Sequence, residues 1–179
     1  MIELSELSKK YSTDKGTLHC YIDEVYGNIF PKRRYSSKKV LEIGVNTGGS
    51  IKLWRDYFVD AVIYGLDVSD CDSIKNQDRI VDIVGDAYGS DVISSLPSDF
   101  DIVIDDGPHS LESMEIFLKE YSKKINTNGV LIIEDIQDYN WIDQLKEATP
   151  EHLRDKIEIY DLRKIKDRYD DLMLVIDLG

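Results

Sequence analysis

The chain has 179 residues, 42% of them hydrophobic, and a net charge of −13 at neutral pH, a length and apolar content that suit one domain with a substantial core. So acidic a surface repels phosphate backbones, which makes nucleic acid a poor partner, and it leaves carboxylates free for a divalent cation. No run of eighteen apolar residues is present, so no membrane span is expected; the start, Met1 to Leu7, is acidic and amphipathic, unlike a signal peptide.

Leu4, Leu7 and Tyr11, then Tyr21, Val25 and Ile29, fall at three- and four-residue spacings and predict short amphipathic helices. Between them Ser12 to Thr17 is polar and turn-forming, and reads as a helix cap and loop. Lys39 to Val45 is the first expected strand; Asn46 to Ser50 breaks it, and a helix follows over Ile51 to Phe58. Ala61 to Leu66 is the second strand, ending at Asp67. Ile80 to Val84 is the third, ending at Gly85-Asp86. Asp101 to Ile104 is the fourth, followed by a helix near Ser110 to Lys124. Asn128-Gly129 reads as a turn into a fifth strand, Val130 to Ile133, and residues near Trp141 to Arg154 look helical. Ile157 to Leu162 and Leu172 to Leu178 are joined by a charged turn with no helix, which predicts an antiparallel pair at one sheet edge. Strands alternating with helices imply a Rossmann-like, doubly wound α/β fold, seven-stranded and mostly parallel. Cys20 and Cys71 carry no motif and read as reduced thiols, in keeping with a cytoplasmic chain.

Chemistry in such a sheet sits past the carboxyl ends of the strands. There the fourth strand runs into Asp105-Asp106-Gly107-Pro108-His109, and the fifth into Glu134-Asp135. Four carboxylates and an imidazole at neighbouring strand ends describe a hard-cation site with a base beside it. The first strand ends in Glu42-x-Gly44-x-x-x-Gly48-Gly49, a turn that lets backbone approach a ligand. Asn46 stands where the dinucleotide fingerprint needs glycine, and there is no Gly-Lys-Ser/Thr of a P-loop. Asp67, an acid at the second strand end, is placed to accept from both ribose hydroxyls of an adenosine ligand. Asp86 is placed to reach an adenine amino group. Glu42 and Asp67 together leave that pocket negative, which suits a cationic ligand better than a pyrophosphate.

Val-Leu-Glu-Ile-Gly-Val, then Gly-Leu-Asp, then Gly-Asp-Ala, over about residues 38 to 178, resembles a class I S-adenosylmethionine-dependent methyltransferase. A narrower resemblance joins Ser12-Thr13-Asp14-Lys15-Gly16-Thr17, Ile-Asp-Asp-Gly-Pro-His and Ile-Ile-Glu-Asp-Ile-Gln. These look like the macrocin/mycinamicin-type magnesium-dependent sugar O-methyltransferases, although Pro108 stands where serine is common. The resemblance implies S-adenosyl-L-methionine and Mg2+ (or Mn2+) as cofactors. It implies Asp106, Glu134 and Asp135 as metal ligands, His109 as general base, and Asp106 beside it in catalysis. Cofactor contacts are implied for Thr13, Lys15, Glu42, Gly44, Asn46, Gly48, Asp67, Val68, Asp86 and Ala87, with Asp105 just behind the ligands. Thr13, Lys15, His19 and Tyr21 would form a lid. Gln137, Tyr139 and Trp141 follow the fifth strand and read as the acceptor wall. The acceptor would be a sugar hydroxyl, on a deoxyhexose such as rhamnose carried by a glycan or glycosylated product. The expected organisation is a single methyltransferase domain, residues 1–37 a helical cap and 38–179 the core, without a long N-terminal auxiliary domain. A homodimer, or membership of a larger glycan-modifying protein, stays open. A catechol-type methyltransferase and a non-catalytic adenosine- or metal-binding domain are the rival readings; an Fe(II) oxygenase suits the carboxylate-rich set less well.

Overall fold

The structure, a computed structural model, describes residues 3–179. The N-terminal pattern becomes α1 (Leu4–Tyr11), with Leu4 and Leu7 buried, and α2 (Asp14–Thr17), a single turn. A π-helical turn, Ile22–Tyr26, runs into α3 (Gly27–Ile29). Then follow β1 (Lys39–Ile43), α4 (Gly49–Tyr57), β2 (Val62–Asp67), β3 (Ile80–Val84), α5 (Ser90–Ser95), β4 (Phe100–Asp105), α6 (Leu111–Tyr121) and β5 (Ile125–Ile133). The chain closes with α7 (Trp141–Ala148), β6 (Ile157–Asp161), α8 (Arg163–Lys166) and β7 (Leu172–Asp177).

One seven-stranded sheet has the order β3-β2-β1-β4-β5-β7-β6. β1 to β5 pair in parallel, and β7 lies antiparallel to both β5 and β6. This is the doubly wound α/β fold with an antiparallel edge pair. Side chains alternate between sheet faces, which divides the apolar runs cleanly. Val40, Ile102, Ile104, Val130, Ile132, Met173 and Val175 face one core, which α4 and the N-terminal segment cover with Trp54, Phe58, Tyr21, Tyr26 and Phe30. Leu41, Ile43, Val103, Leu131, Ile133, Leu174 and Ile176 face the other, covered by α6 and α7 through Met114, Phe117, Leu118 and Leu145. Strands buried on both faces read as continuous apolar runs for this reason. Among the described residues no helix is long and apolar enough to cross a membrane, and both cysteines are buried free thiols.

Three local expectations change. The link between the last two strands contains α8, a single turn that ends at Asp167 in the left-handed region (φ 55°). Asn128-Gly129 is not a turn before the strand but part of β5: Phe100 pairs with Ile125 and Ile102 with Val130, so β5 bulges out the intervening polar residues. The polar Ser12–Thr17 stretch is no solvated loop, because Thr13 and Lys15 are buried there.

Candidate active site

The strand order reverses between β1 and β4, and the crevice outside that switch point is where an open α/β sheet binds ligands. A cavity of about 470 Å³ lies there, large enough for a nucleoside-sized ligand. Gly44 (φ 89°) and Asn46 (φ 47°) turn the chain off β1. Gly44 has to be glycine, since a Cβ would sit 1.9 Å from the carbonyl oxygen of Asp106. Asp67 folds this turn: its carboxylate accepts from the N–H groups of Val45 (2.8 Å), Asn46 (3.3 Å) and Ser69 (3.1 Å). Burial alone would raise its pKa, but those N–H groups together with that of Val68 hold the carboxyl below its usual range.

Gly44, Asn46, Asp67, Val68, Asp86 and Ala87 line the cavity, and Asp106, His109 and Asp135 close its other end. Asp14 and Tyr88 also line it, two residues the sequence did not single out. Thr13 borders a separate 130 Å³ hollow beside Gly44, Asn46 and Asp106. Gly48 lines neither; it caps α4 in the left-handed region at φ 78°.

Strand alternation sorts the acids. Glu42 shares a face with Val40, Asp106 follows Ile102 and Ile104, and Glu134 follows Val130 and Ile132, all on the side that the N-terminal segment covers. Glu42, expected in the cofactor pocket, is instead fully buried there, accepting from Trp54 Nε1 (2.6 Å) with Lys15 Nζ at 3.2 Å. Lys15, expected in a lid, is 1% exposed and donates to Asp106 Oδ2 and Glu134 Oε2, both at 2.5 Å. Burial would lower the Lys15 pKa, but Asp106, Glu134 and Glu42 override it and keep the ammonium well above its ordinary value. Burial pushes Glu134 and Glu42 up, with Lys15 pulling them back. Glu134 also accepts from the Tyr26 hydroxyl. Expected as a metal ligand, it is thus held by Lys15 and Tyr26 and is not gathered with the open ligand atoms. Asp105, on the opposite face, is not at the cavity: it accepts from Tyr88 Oη at 2.5 Å, and burial pushes its carboxyl up to about 7.

Among the described residues two groups of ligand atoms converge, each within 4.8 Å: Asp106, His109 and Asp135 at the cavity, and the buried His19, Asp135 and Asp171 beside it. His109 Nε2 lies 3.8 Å from Asp106 Oδ1 and 3.8 Å from Asp135 Oδ2. Ser110 caps α6, accepting from Ser113 N at 3.1 Å. His109 (φ 54°) and Asp135 (φ 53°) both occupy the left-handed region, where non-glycine residues are uncommon and strain tends to mark a working site. Lys15 Nζ meets three carboxyl groups here, with Asp135 beside them. The oxygen-rich donor set fits a hard divalent cation such as Mg2+, and the buried His109 Nδ1 is without a hydrogen-bond partner.

The expected acceptor wall is not brought to this cavity. Gln137 bonds the Asp135 carbonyl and Tyr169, Tyr139 is 51% exposed with the Arg163 guanidinium over its ring, and Trp141 begins α7.

No protein-family model matches the chain. The demethylmacrocin O-methyltransferase of Streptomyces fradiae is 33% identical over 150 residues, covering 78% of this chain and 38% of that protein. The mycinamicin VI 2''-O-methyltransferase of Micromonospora griseorubida is likewise 33% identical over 150 residues, covering 78% of this chain and 37% of that protein. Among solved structures, the MycE methyltransferase of the mycinamycin biosynthetic pathway, in complex with Mg and SAH, superposes with a TM-score of 0.79 at 27% identity, over 98% of this chain and 55% of that one. The chain therefore spans well under half the length of these curated relatives.

Proposed function

From a chain that resembles the macrocin/mycinamicin-type sugar O-methyltransferases and shares the MycE fold, we propose an S-adenosylmethionine- and magnesium-dependent O-methyltransferase acting on a sugar hydroxyl. The observation that carries it is one cavity with an adenosine-type end, Gly44 and Asp67, and an acid–imidazole end, Asp106, His109 and Asp135. When bound, S-adenosylmethionine supplies an electrophilic methyl group, and Mg2+ (or Mn2+) a template that lowers the pKa of a coordinated hydroxyl.

The chain's own residues do the rest. Asp67 Oδ1, which takes the Ser69 N–H while Oδ2 takes those of Val45 and Asn46, offers an acceptor position to a ribose hydroxyl, and Asp86 stands at the adenine side. Asp106 and Asp135 would hold the cation, with Lys15, itself held by Glu134, fixing Asp106 from behind. His109 Nε2 takes the proton of the acceptor hydroxyl, a contribution of typically ~10²–10⁴-fold. Fixing donor and acceptor in one crevice removes much of the entropic barrier. The acceptor follows a relative 29% identical over 148 residues, whose name specifies the 2'-O-methylation of an alpha-L-rhamnosyl tetracenomycin. A vicinal diol on a deoxyhexose such as rhamnose is the class proposed, with the cytoplasm, where S-adenosylmethionine is made, as the place of reaction.

The test is methyl transfer from S-adenosylmethionine to a set of rhamnosides and to a catechol, with magnesium and with a chelator, read by mass. Magnesium-dependent gain of one methyl on a rhamnoside, lost in His109→Ala, is expected. Methylation of the catechol alone would replace the sugar with a flat aromatic acceptor. Absence of S-adenosylhomocysteine binding by folded protein would overturn the methyltransferase reading.

A further inference from the structure

Asp135 is held on one side only by groups that the reaction itself does not use. Its Oδ2 faces His109, while its Oδ1 accepts from the Tyr21 hydroxyl. Tyr21 is fully buried and stacks on His19, ring centroids 4.6 Å apart and planes 23° apart. His19, 3% exposed, sets its Nδ1 2.5 Å from Asp171 Oδ1 and 3.6 Å from Asp135 Oδ1. Asp171 is itself fully buried, at the foot of β7. The backbone of His19 is tied from the same direction, because Lys166 Nζ donates to the carbonyls of His19 (2.7 Å) and Thr17 (2.9 Å). A line of buried polar groups thus runs from the β6–β7 link through Asp171 and His19 to Tyr21, and ends on one oxygen of Asp135.

A carboxylate that ligates through one oxygen keeps its aim only if the other is held, and outer partners of that kind set metal affinity. The need is sharper here because Asp135 leaves the strand in a left-handed conformation, where its backbone does not favour staying. We propose that Tyr21, backed by His19 and Asp171, is a positioning residue that locks Asp135 Oδ1 and so aims Oδ2 at the cation site. The N-terminal segment then sets the metal affinity of a site built on the sheet. The proposal rests on the reading of Asp135 as a metal ligand.

The experiment measures Mn2+ affinity of the whole chain by electron paramagnetic resonance, with turnover as a function of Mn2+ beside it. Tyr21→Phe removes only the hydroxyl and keeps the ring and its stack on His19; Asp171→Asn loosens the far end; Asp135→Asn is the control. Tyr21→Phe and Asp171→Asn are expected to weaken Mn2+ binding ~10–100-fold, with metal-free S-adenosylhomocysteine affinity unchanged. Saturating Mn2+ should restore most turnover in Tyr21→Phe and none in Asp135→Asn, a split that a merely structural role would not produce. Wild-type-like Mn2+ affinity in Tyr21→Phe, with binding lost in Asp135→Asn, would overturn the positioning role and leave the metal reading standing. Undiminished binding in Asp135→Asn would overturn both.

Discussion

Two sets of acids stand at the same end of one sheet and have opposite surroundings. Asp67, Asp106 and Asp135 border the cavity. Glu42, Glu134 and Asp171 are at most 1% exposed, and each is matched to a partner on the N-terminal segment or α4: Lys15 and Trp54, Lys15 and Tyr26, and His19. Burying a carboxylate without a partner is costly, and removing one partner of a buried pair leaves an uncompensated charge. The inner set therefore assembles the end of the sheet, while the outer set, though Lys15 holds Asp106 and Tyr21 holds Asp135, keeps carboxylate oxygens at the cavity. A strand-end acid is not by that fact a ligand-binding acid; what packs over it decides.

Lys15→Met breaks the inner set most severely. It deprives Glu42, Glu134 and Asp106 of their shared ammonium and should lower unfolding stability by ~3–5 kcal/mol in urea titrations. Adding Glu134→Gln should return part of that loss, since fewer unmatched charges remain, and the double-mutant cycle reads the coupling directly. A loss of less than about 1 kcal/mol in Lys15→Met, the range of an exposed pair, would show that the inner set is not an assembly device. Asp106→Asn serves as the outer counterpart: a smaller stability change, with loss of Mn2+ binding. Next in size is Asp67→Asn. Hydrogen bonds to a charged group are worth ~1.5–3 kcal/mol, so S-adenosylhomocysteine should bind roughly ten- to a hundredfold more weakly, by calorimetry. An unchanged affinity would move Asp67 from the outer set to a purely loop-forming role, since it already accepts from Val45, Asn46 and Ser69.

The sheet was readable because strands buried on both faces leave continuous apolar runs, such as Val130 to Ile133, and because the carboxylates that follow mark where each strand ends. Even the antiparallel edge followed from the short link between β6 and β7. Alternation along the strand carried further information that motif spacing hides. Counting two by two from Val40, Ile102 and Val130 puts Glu42, Asp106 and Glu134 on one face, and three acids on one face call for a buried cation. Lys15 supplies it, but nothing local says so: Ser12 to Thr17 is polar, and its partners lie 27 to 119 residues along the chain, at Glu42, Asp106 and Glu134. Tyr88 and Asp171 were illegible for the same reason. Each gains its role from one long-range hydrogen bond, Tyr88 to Asp105 and His19 to Asp171. The aromatic and amide residues after β5 lie outside the lining of this cavity, with Trp141 starting α7, so an acceptor wall there rests on residue type alone.

The smallest predicted effect separates the outer rim of the N-terminal segment from its inner grip. Asp56, on α4, accepts from Lys10 Nζ (2.9 Å), from the Tyr11 hydroxyl and from Arg55 Nε (2.9 Å), clamping the end of α1 to α4. Burial alone would raise its pKa, but Tyr11, Lys10 and Arg55 outweigh that and bring the carboxyl down from 3.8 to about 2. The folded state therefore takes up this proton less readily than the unfolded chain. The clamp's contribution is complete above the unfolded pKa and is lost as pH falls from about 4 through about 2. Because the clamp is partly exposed, that contribution should be about 1 kcal/mol or less and should shrink in high salt. Urea titrations of the wild type and Asp56→Asn check it: the stability difference should be present near neutral pH and fade below about pH 3. The Lys15→Met deficit should instead survive high salt, because that ammonium and two of its carboxylates are at most 1% exposed, where screening reaches least. Equal salt sensitivity of the two deficits would erase the distinction between rim and interior on which the inner set depends.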